Sequence, residues 1–307
     1  MNYIKKIIQS PQHRQLIGLK IGIKILNWMI KYFNYKGDIM VNRHGSFVGT
    51  DGVFLSTKGT NRYLKSNSSK KINQGANLNE NIKKILNSVK IILDIGANVG
   101  EISIYLSKMY QNSKIYSIEP SKRNLLIFKK NLDDQFDECS NITIIEKAVC
   151  DYNGKIDITS SLNAANTIMI NHELNRTLKS YDKKIIDHVE EVDAITLNEL
   201  CKQNHITEID FMKVDIEGAE PLLTPSILDL KPRLIFIEIS LKNTENNYQE
   251  MLSKLEKLYD IYDNNLNIIE DIKLFVFNLF SKKDDKNKII VTDVWLVRND
   301  LNFNSKI

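Results

Sequence analysis

From Lys90 onward the chain alternates short, continuous apolar runs with amphipathic stretches. Ile91-Ile92-Leu93-Asp94-Ile95 reads as a strand buried on both faces, Glu101–Met109 as a helix, Lys114–Ile118 as a strand and residues 122–132 as a helix. Strands follow at residues 142–147, 155–159, 209–214 and 234–239. A helix over 248–258, a strand at Tyr259–Tyr262 and a last strand at 289–297 complete the series. Apolar runs without polar alternation mark strands covered by helices on both sides. Strands that alternate with helices predict an α/β fold around a mostly parallel sheet. Right-handed crossovers then gather the C-terminal ends of the parallel strands on one edge. Ligands bind at that edge in open α/β sheets.

The segment before Lys90 has a different pattern. After Pro11, residues 12–33 read as a helix with a broad apolar face that includes Leu16, Leu19, Ile23, Leu26, Trp28, Ile30 and Phe33. Lys20, Lys24, Asn27 and Lys31 form one narrow polar stripe. Such a helix either packs on its own domain or a partner chain, or lies in a membrane interface with its lysines toward anionic lipid. Gly45, Gly49, Gly52 and Gly59 punctuate short strands and turns over residues 37–59. The polar stretch 61–80 reads as a loop or lid, and a helix follows over 79–88. Residues 162–189 are polar with a helical middle and sit where an insertion could cover a substrate. Residues 271–287 read as an inserted helix followed by a charged loop. The expected division is an N-terminal extension, 1–88, and an α/β domain, 89–300.

Composition excludes more than it assigns. The 307 residues carry 42 Lys+Arg against 38 Asp+Glu, a formal +4. No arginine block with interleaved aromatics occurs, so no nucleic-acid partner is expected. Cys139, Cys150 and Cys201 are widely spaced and form no Cys-x-x-Cys pair, which predicts neither a zinc knuckle nor a disulfide framework and fits a reducing cytosol. No signal-peptide pattern begins the chain and no run reaches about 18 apolar residues. The expected location is cytoplasmic, with peripheral membrane contact following only from the second of the two readings of residues 12–33.

Three strand ends carry the chemistry. Asp94-Ile95-Gly96-Ala97-Asn98-Val99-Gly100 is a strand entering a glycine turn and then a helix. Its Gly-x-x-x-Gly spacing lacks the middle glycine that lies against pyrophosphate in dinucleotide folds. Glu119 ends the next strand, where a carboxylate can accept both ribose hydroxyls. Asp94 could hold the ammonium of an amino-acid moiety, directly or through water. A ligand with both groups is S-adenosyl-L-methionine. On the acceptor side, Asp215 and Glu217 flank the end of a fourth strand and Glu238 ends a fifth. A neutral hydroxyl must lose its proton during transfer, and a carboxylate in hydrogen-bond reach can take it. Oxygen, methyl carbon and sulfur must also be nearly collinear, so positioning is much of the catalysis. Asp215 is the expected group nearest the methyl, with Glu217 or Glu238 as base or acceptor orienter. Lys213 points away from its neighbours Met212 and Val214 and can neutralise one of these acids. Three carboxylates can hold magnesium, but no histidine pair has ligand spacing, and no required metal is expected.

The set Asp94–Gly100, Ile118-Glu119-Pro120-Ser121, Glu146-Lys147-Ala148-Val149 and residues 210–220 (Asp-Phe-Met-Lys-Val-Asp-Ile-Glu-Gly-Ala-Glu) resembles the FkbM family of class I S-adenosylmethionine-dependent methyltransferases. The resemblance covers about residues 91–240, and the Lys213–Glu220 segment is its most specific part. It implies a Rossmann-like, seven-stranded, mostly parallel sheet with its last strand antiparallel. It also implies O-methylation of a hydroxyl on a sugar, glycolipid or related natural product. By that pattern Asp94, Gly96, Asn98 and Gly100, with Ala97 in the same turn, surround the methionine part of the cofactor. Glu119, with Pro120 beside it, takes the ribose, and Ala148 lies near the adenine. Family members often continue into a helix after the acidic motif, whereas here Pro221, Thr224 and Pro225 interrupt that stretch. The alternatives are a nicotinamide-dependent oxidoreductase and a non-catalytic cofactor-fold domain docked to membrane or partner. The first would use Glu119 but lacks the middle glycine and a Tyr-x-x-x-Lys pair. The identity of the small-molecule, glycan or glycolipid acceptor and the oligomeric state stay open.

Overall fold

In the computed structural model the described residues are 39–41, 47–49, 54–55, 72, 79–133, 139–160, 167–170, 188–240, 245–281 and 291–301. The helix expected at 12–33 and most of the expected lid at 61–80 lie outside them. The N-terminal part contributes a three-stranded antiparallel sheet of β1 (Ile39–Val41), β2 (Phe47–Gly49) and β3 (Phe54–Leu55). It is followed by α1 (Glu80–Asn87), whose N-cap Asn79 accepts backbone N–H bonds from Asn81 and Ile82. Ile82, Ile85 and Leu86 recur at helical spacing on the buried face of α1.

The main sheet begins with β4 (Ile91–Ile95), α2 (Glu101–Met109), β5 (Lys114–Ile118), α3 (Lys122–Asp133) and β6 (Ile142–Ile145). A second sheet interrupts it with β7 (Ala148–Cys150), β8 (Gly154–Ser160), β9 (Thr167–Ile170) and β10 (His188–Thr196). The main series resumes with α4 (Leu197–Gln203), β11 (Phe211–Val214), a 3-10 turn (Glu220–Leu223), α5 (Thr224–Leu230) and β12 (Leu234–Ser240). It closes with α6 (Glu245–Leu255), β13 (Tyr259–Tyr262), α7 (Ile272–Ser281) and β14 (Val291–Arg298).

The seven main strands lie in the order β13-β14-β12-β11-β4-β5-β6. Strands β6, β5, β4, β11 and β12 are mutually parallel, and β14 inserts antiparallel between β12 and β13. One face packs Ile92, Ile115, Phe211, Leu234 and Trp295 against α1 and α2. The other packs Leu93, Met212, Ile235 and Leu296 against residues of α4 to α7. Both faces are therefore covered, which is why these strands carry apolar runs without alternation. Pro221 and Pro225 do not abolish the helix after the acidic motif: the chain makes a 3-10 turn and restarts as α5, with Pro225 in its first turn.

Two elements differ from the sequence reading. Residues 190–196 carry no clear strand pattern, yet β10 is a strand of the second sheet, antiparallel to β8 and parallel to β7. Its acids alternate with Val192 and Ala194, so half the strand is solvent-facing and the apolar signal is diluted. Within the insertion at 162–189, Thr167–Ile170 is a strand paired with β8, and residues 171–187 lie outside the described set. No helix among the described residues is long and apolar enough to cross a membrane.

Candidate functional site

The turn from β4 into α2 is shaped by backbone that only small residues can form. Gly96 has φ +79° and Gly100 φ +81°, in the left-handed region. A Cβ on Gly96 would stand 1.9 Å from the carbonyl oxygen of Asp215. The cofactor-type turn and the acidic loop after β11 are thus in direct backbone contact. A Cβ on Gly100 would stand 2.0 Å from the Phe128 ring of α3. The N–H groups of Gly96 and Ala97 both donate to the Ile118 carbonyl at 3.0 Å, which ties the turn to the end of β5.

Asn98 takes φ +53°, and its N–H donates to Glu119 Oε2 at 2.8 Å. Glu119 Oε1 accepts from the Ser121 N–H at 3.0 Å and from Asn124 Nδ2 at 3.1 Å. Burial raises the Glu119 carboxyl above the ordinary range, against these three donors, which pull it down. A carboxylate offers about four acceptor positions. Three are filled within the chain, which leaves one for an outside donor. Pro120 follows directly and Ala148 is buried at the start of β7.

A polar row crosses the sheet beneath the turn. Ser117, Asp94 and Lys213 are register neighbours on β5, β4 and β11. Ser117 donates to Ser103 of α2 at 2.8 Å, and Ser103 donates to Asp94 Oδ2 at 2.6 Å. Lys213 Nζ lies 3.4 Å from Asp94 Oδ1, 3.3 Å from Asp215 Oδ2 and 3.0 Å from the Gly96 carbonyl, to which it donates. Burial opposes its charge, but Asp215 and Asp94 outweigh burial and hold the ammonium above the ordinary lysine range. Asp94 is fully buried, and the cation it faces is the chain's own. Lys213 is a fixed charge that positions Asp94 and Asp215, not a proton carrier.

Asp215, Glu217 and Glu238 come together at the C-terminal edge of β11 and β12, with carboxylate oxygens within 4.8 Å of one another. Among the described residues this trio could hold a divalent cation. Burial pushes Glu238 up to about 9, helped by the negative charges of Asp215, Glu217 and the buried Asp293, its register partner on β14. Glu238 is thus protonated at neutral pH in the folded chain. Its stabilising contribution is complete below its ordinary value and is lost as pH rises through about 9. Glu238→Gln removes that penalty, so thermal melts should show the variant gaining over wild type as pH rises from 5 to 9. A gain equal at all pH values would contradict this assignment.

The loop that presents the trio is clamped from inside. Glu217 has φ +59° and Gly218 φ +106°. Glu220 Oε1 accepts the N–H groups of Ile216 at 3.0 Å and Gly218 at 3.1 Å, and its Oε2 accepts the Tyr248 hydroxyl at 2.6 Å. Burial raises Glu220 to about 7, and these donors oppose the rise. Glu220 therefore shapes the loop from a buried position. Sequence reasoning did not find Ser103, Ser117, Tyr248, Asp293 or Glu101. Glu101, at the start of α2, is raised to about 6 by burial while Lys213 pulls it down. The serines had one available signal, being small polar residues inside apolar runs.

One buried acceptor of this site, Asn98 Oδ1, has no hydrogen-bond partner. An unpaired acceptor beside a glycine turn fits a ligand that brings N–H donors, such as the amino-acid end of S-adenosyl-L-methionine.

The strand order, the antiparallel β14 and the acid-lined parallel edge define the class I methyltransferase fold. The family described as the Methyltransferase FkbM domain matches residues 94–262, and the chain belongs to it. The chain is similar to Methyltransferase 1 of Beauveria bassiana (strain ARSEF 2860), 25% identical over 142 residues, 42% of this chain and 55% of that protein. It is also similar to Methyltransferase sdnD of Sordaria araneosa, 25% identical over 154 residues, 44% of this chain and 59% of that protein. The matched stretches span little more than half the length of these relatives. Among solved structures, a methyltransferase FkbM from Methylobacillus flagellatus KT is 16% identical, with a TM-score of 0.39, over 68% of this chain and 43% of that one.

Proposed function

We propose that the protein is an S-adenosylmethionine-dependent O-methyltransferase acting on a hydroxyl of a sugar, glycolipid or related natural product. One observation carries the reading. The Gly96 turn and the loop bearing Asp215 are in backbone contact, so the cofactor side and the acid trio form one continuous rim. When bound, S-adenosyl-L-methionine supplies a methyl group made electrophilic by its sulfonium. Asp94, Gly96, Ala97, Asn98 and Gly100 would hold its methionine part, Glu119 and Pro120 the ribose, and Ala148 the adenine. The residues do the rest. Lys213 Nζ, 3.3 Å from Asp215 Oδ2, holds that carboxylate in place beside the acceptor site. Glu238, still protonated, donates to an acceptor oxygen and orients it. The acceptor's proton passes to the carboxylate of Asp215 or of Glu217. The family membership favours methyl transfer over the hydride transfer of a nicotinamide enzyme.

The test is transfer of labelled methyl from S-adenosyl-L-methionine to a panel of sugars, glycolipids and hydroxylated natural products. Asp215→Asn should lower kcat by about 10²- to 10⁴-fold, the usual worth of an acid–base group, with a smaller change in KM. Label appearing only on amine acceptors would overturn the oxygen assignment. The sequence pattern of residues 12–33 adds to this proposal a peripheral contact with anionic membrane.

A further inference from the structure

The loop that carries Asp215 and Glu217 is bent against its own preference, and a residue from another helix helps to hold it there. Glu217 keeps φ +59° with a full side chain, a left-handed conformation unfavourable to an L-residue, and Gly218 follows at φ +106°. Such a bend persists only where its surroundings hold it. Glu220 Oε1 accepts the N–H of Ile216 at 3.0 Å and that of Gly218 at 3.1 Å, and Oε2 lies 3.0 Å from the same Gly218 nitrogen. Ile216 stands between Asp215 and Glu217, and Gly218 directly follows Glu217, so the clamp fixes the path of the chain at both acids.

Glu220 is itself held from outside the loop. Tyr248 of α6 donates its hydroxyl to Oε2 at 2.6 Å, in the range of a charge-assisted bond. Both side chains are buried. The Tyr248 ring lies 6.2 Å from that of Phe280 on α7, so packing fixes the ring and aims the hydroxyl. Lys213 holds Asp215 from the strand side. Loss of the hydroxyl therefore shifts Glu217 first. We propose that the Tyr248 hydroxyl is a positioning group for the transfer reaction: through Glu220 it fixes the backbone at 216–218 and with it the place of Glu217 beside Asp215. The inference rests on the methyl-transfer reading above. A proton acceptor must stay within hydrogen-bond reach of the attacking hydroxyl, and a displacement of about 1 Å caused far from the chemistry can cost about 100-fold in rate.

The test compares, in the full chain, Tyr248→Phe, which keeps the ring and deletes only the hydroxyl, with Phe280→Leu, which loosens the ring's packing and keeps the hydroxyl. Labelled methyl from S-adenosyl-L-methionine is followed on the acceptor panel above. In Tyr248→Phe kcat should fall about 10- to 100-fold, with the Kd of S-adenosylhomocysteine unchanged. Phe280→Leu should lower the thermal midpoint and leave kcat as in wild type. An unchanged kcat in Tyr248→Phe overturns the assignment, and so does a fall in kcat matched by a loss of S-adenosylhomocysteine binding. Amide exchange reads the clamp without any acceptor. In wild type the Ile216 and Gly218 amides should exchange as slowly as those of Met212 and Val214 in β11; fast, loop-like rates there overturn the clamp without reference to any variant. In Tyr248→Phe the two loop amides should quicken by about 10-fold, the worth of one hydrogen bond to a charged group, and rates equal to wild type overturn it as well. If wild type transfers no methyl, the proposed function falls, and these exchange rates still decide whether Tyr248 holds the loop.

Discussion

Lys213→Met should destabilise the protein by about 3–5 kcal/mol, the cost of breaking a buried ion pair by removing one partner. Lys213 is 3% exposed and lies within 3.4 Å of both Asp94 and Asp215. Methionine fills much of its volume but leaves the fully buried Asp94 facing no cation. Urea denaturation of wild type and variant measures the loss through the transition midpoint. The double variant Lys213→Met/Asp94→Asn should recover part of it, because the uncompensated charge is then gone and Ser103 keeps a neutral partner. A single variant as stable as wild type would mean that the ammonium is not what holds the row together.

Gly96→Ala is the second large effect. A side chain at φ +79° costs about 1–2 kcal/mol on its own. The new Cβ would lie 1.9 Å from a backbone carbonyl, not from the end of a flexible side chain. Relief requires the β4 turn and the Asp215 loop to separate, and overpacking of this kind costs about 1–3 kcal/mol more. The expected total is about 2–5 kcal/mol by urea denaturation, with loss of S-adenosylhomocysteine binding in any folded fraction. Gly100→Ala meets a side-chain ring, which can shift, and should cost less. Equal losses at the two glycines would remove the claim that backbone contact joins the two halves of the rim.

Much of this architecture was legible because both faces of the main sheet are covered. Ile91–Ile95, Lys114–Ile118 and Tyr259–Tyr262 announce themselves as apolar runs and form strands with those limits. The second sheet was less legible, since β10 alternates Glu191 and Asp193 with Val192 and Ala194 and reads as polar. The site showed the same division. Asp215, Glu217 and Glu238 could be brought together from strand ends alone, because a parallel sheet delivers those ends to one edge. The partners that, besides Lys213, surround the acids of the site could not. Asp293 comes from an antiparallel strand far along the chain, Tyr248 from a helix on one face, and Ser103 from a helix on the other. Their roles depend on which residues meet across the sheet, and no local pattern encodes that. Glu119 was found at its strand end, but the donors from Asn98, Ser121 and Asn124 that fill its oxygens arise from the close turn, not from spacing.

The central claim is that the turn at Asp94–Gly100 and the acid at Glu119 hold an S-adenosyl cofactor beside the acid trio. Parallel calorimetric titrations of S-adenosylhomocysteine and NADH into the wild-type chain test it most directly. Saturable binding of S-adenosylhomocysteine with no heat from NADH is the predicted result. Binding of NADH with none of S-adenosylhomocysteine would contradict it.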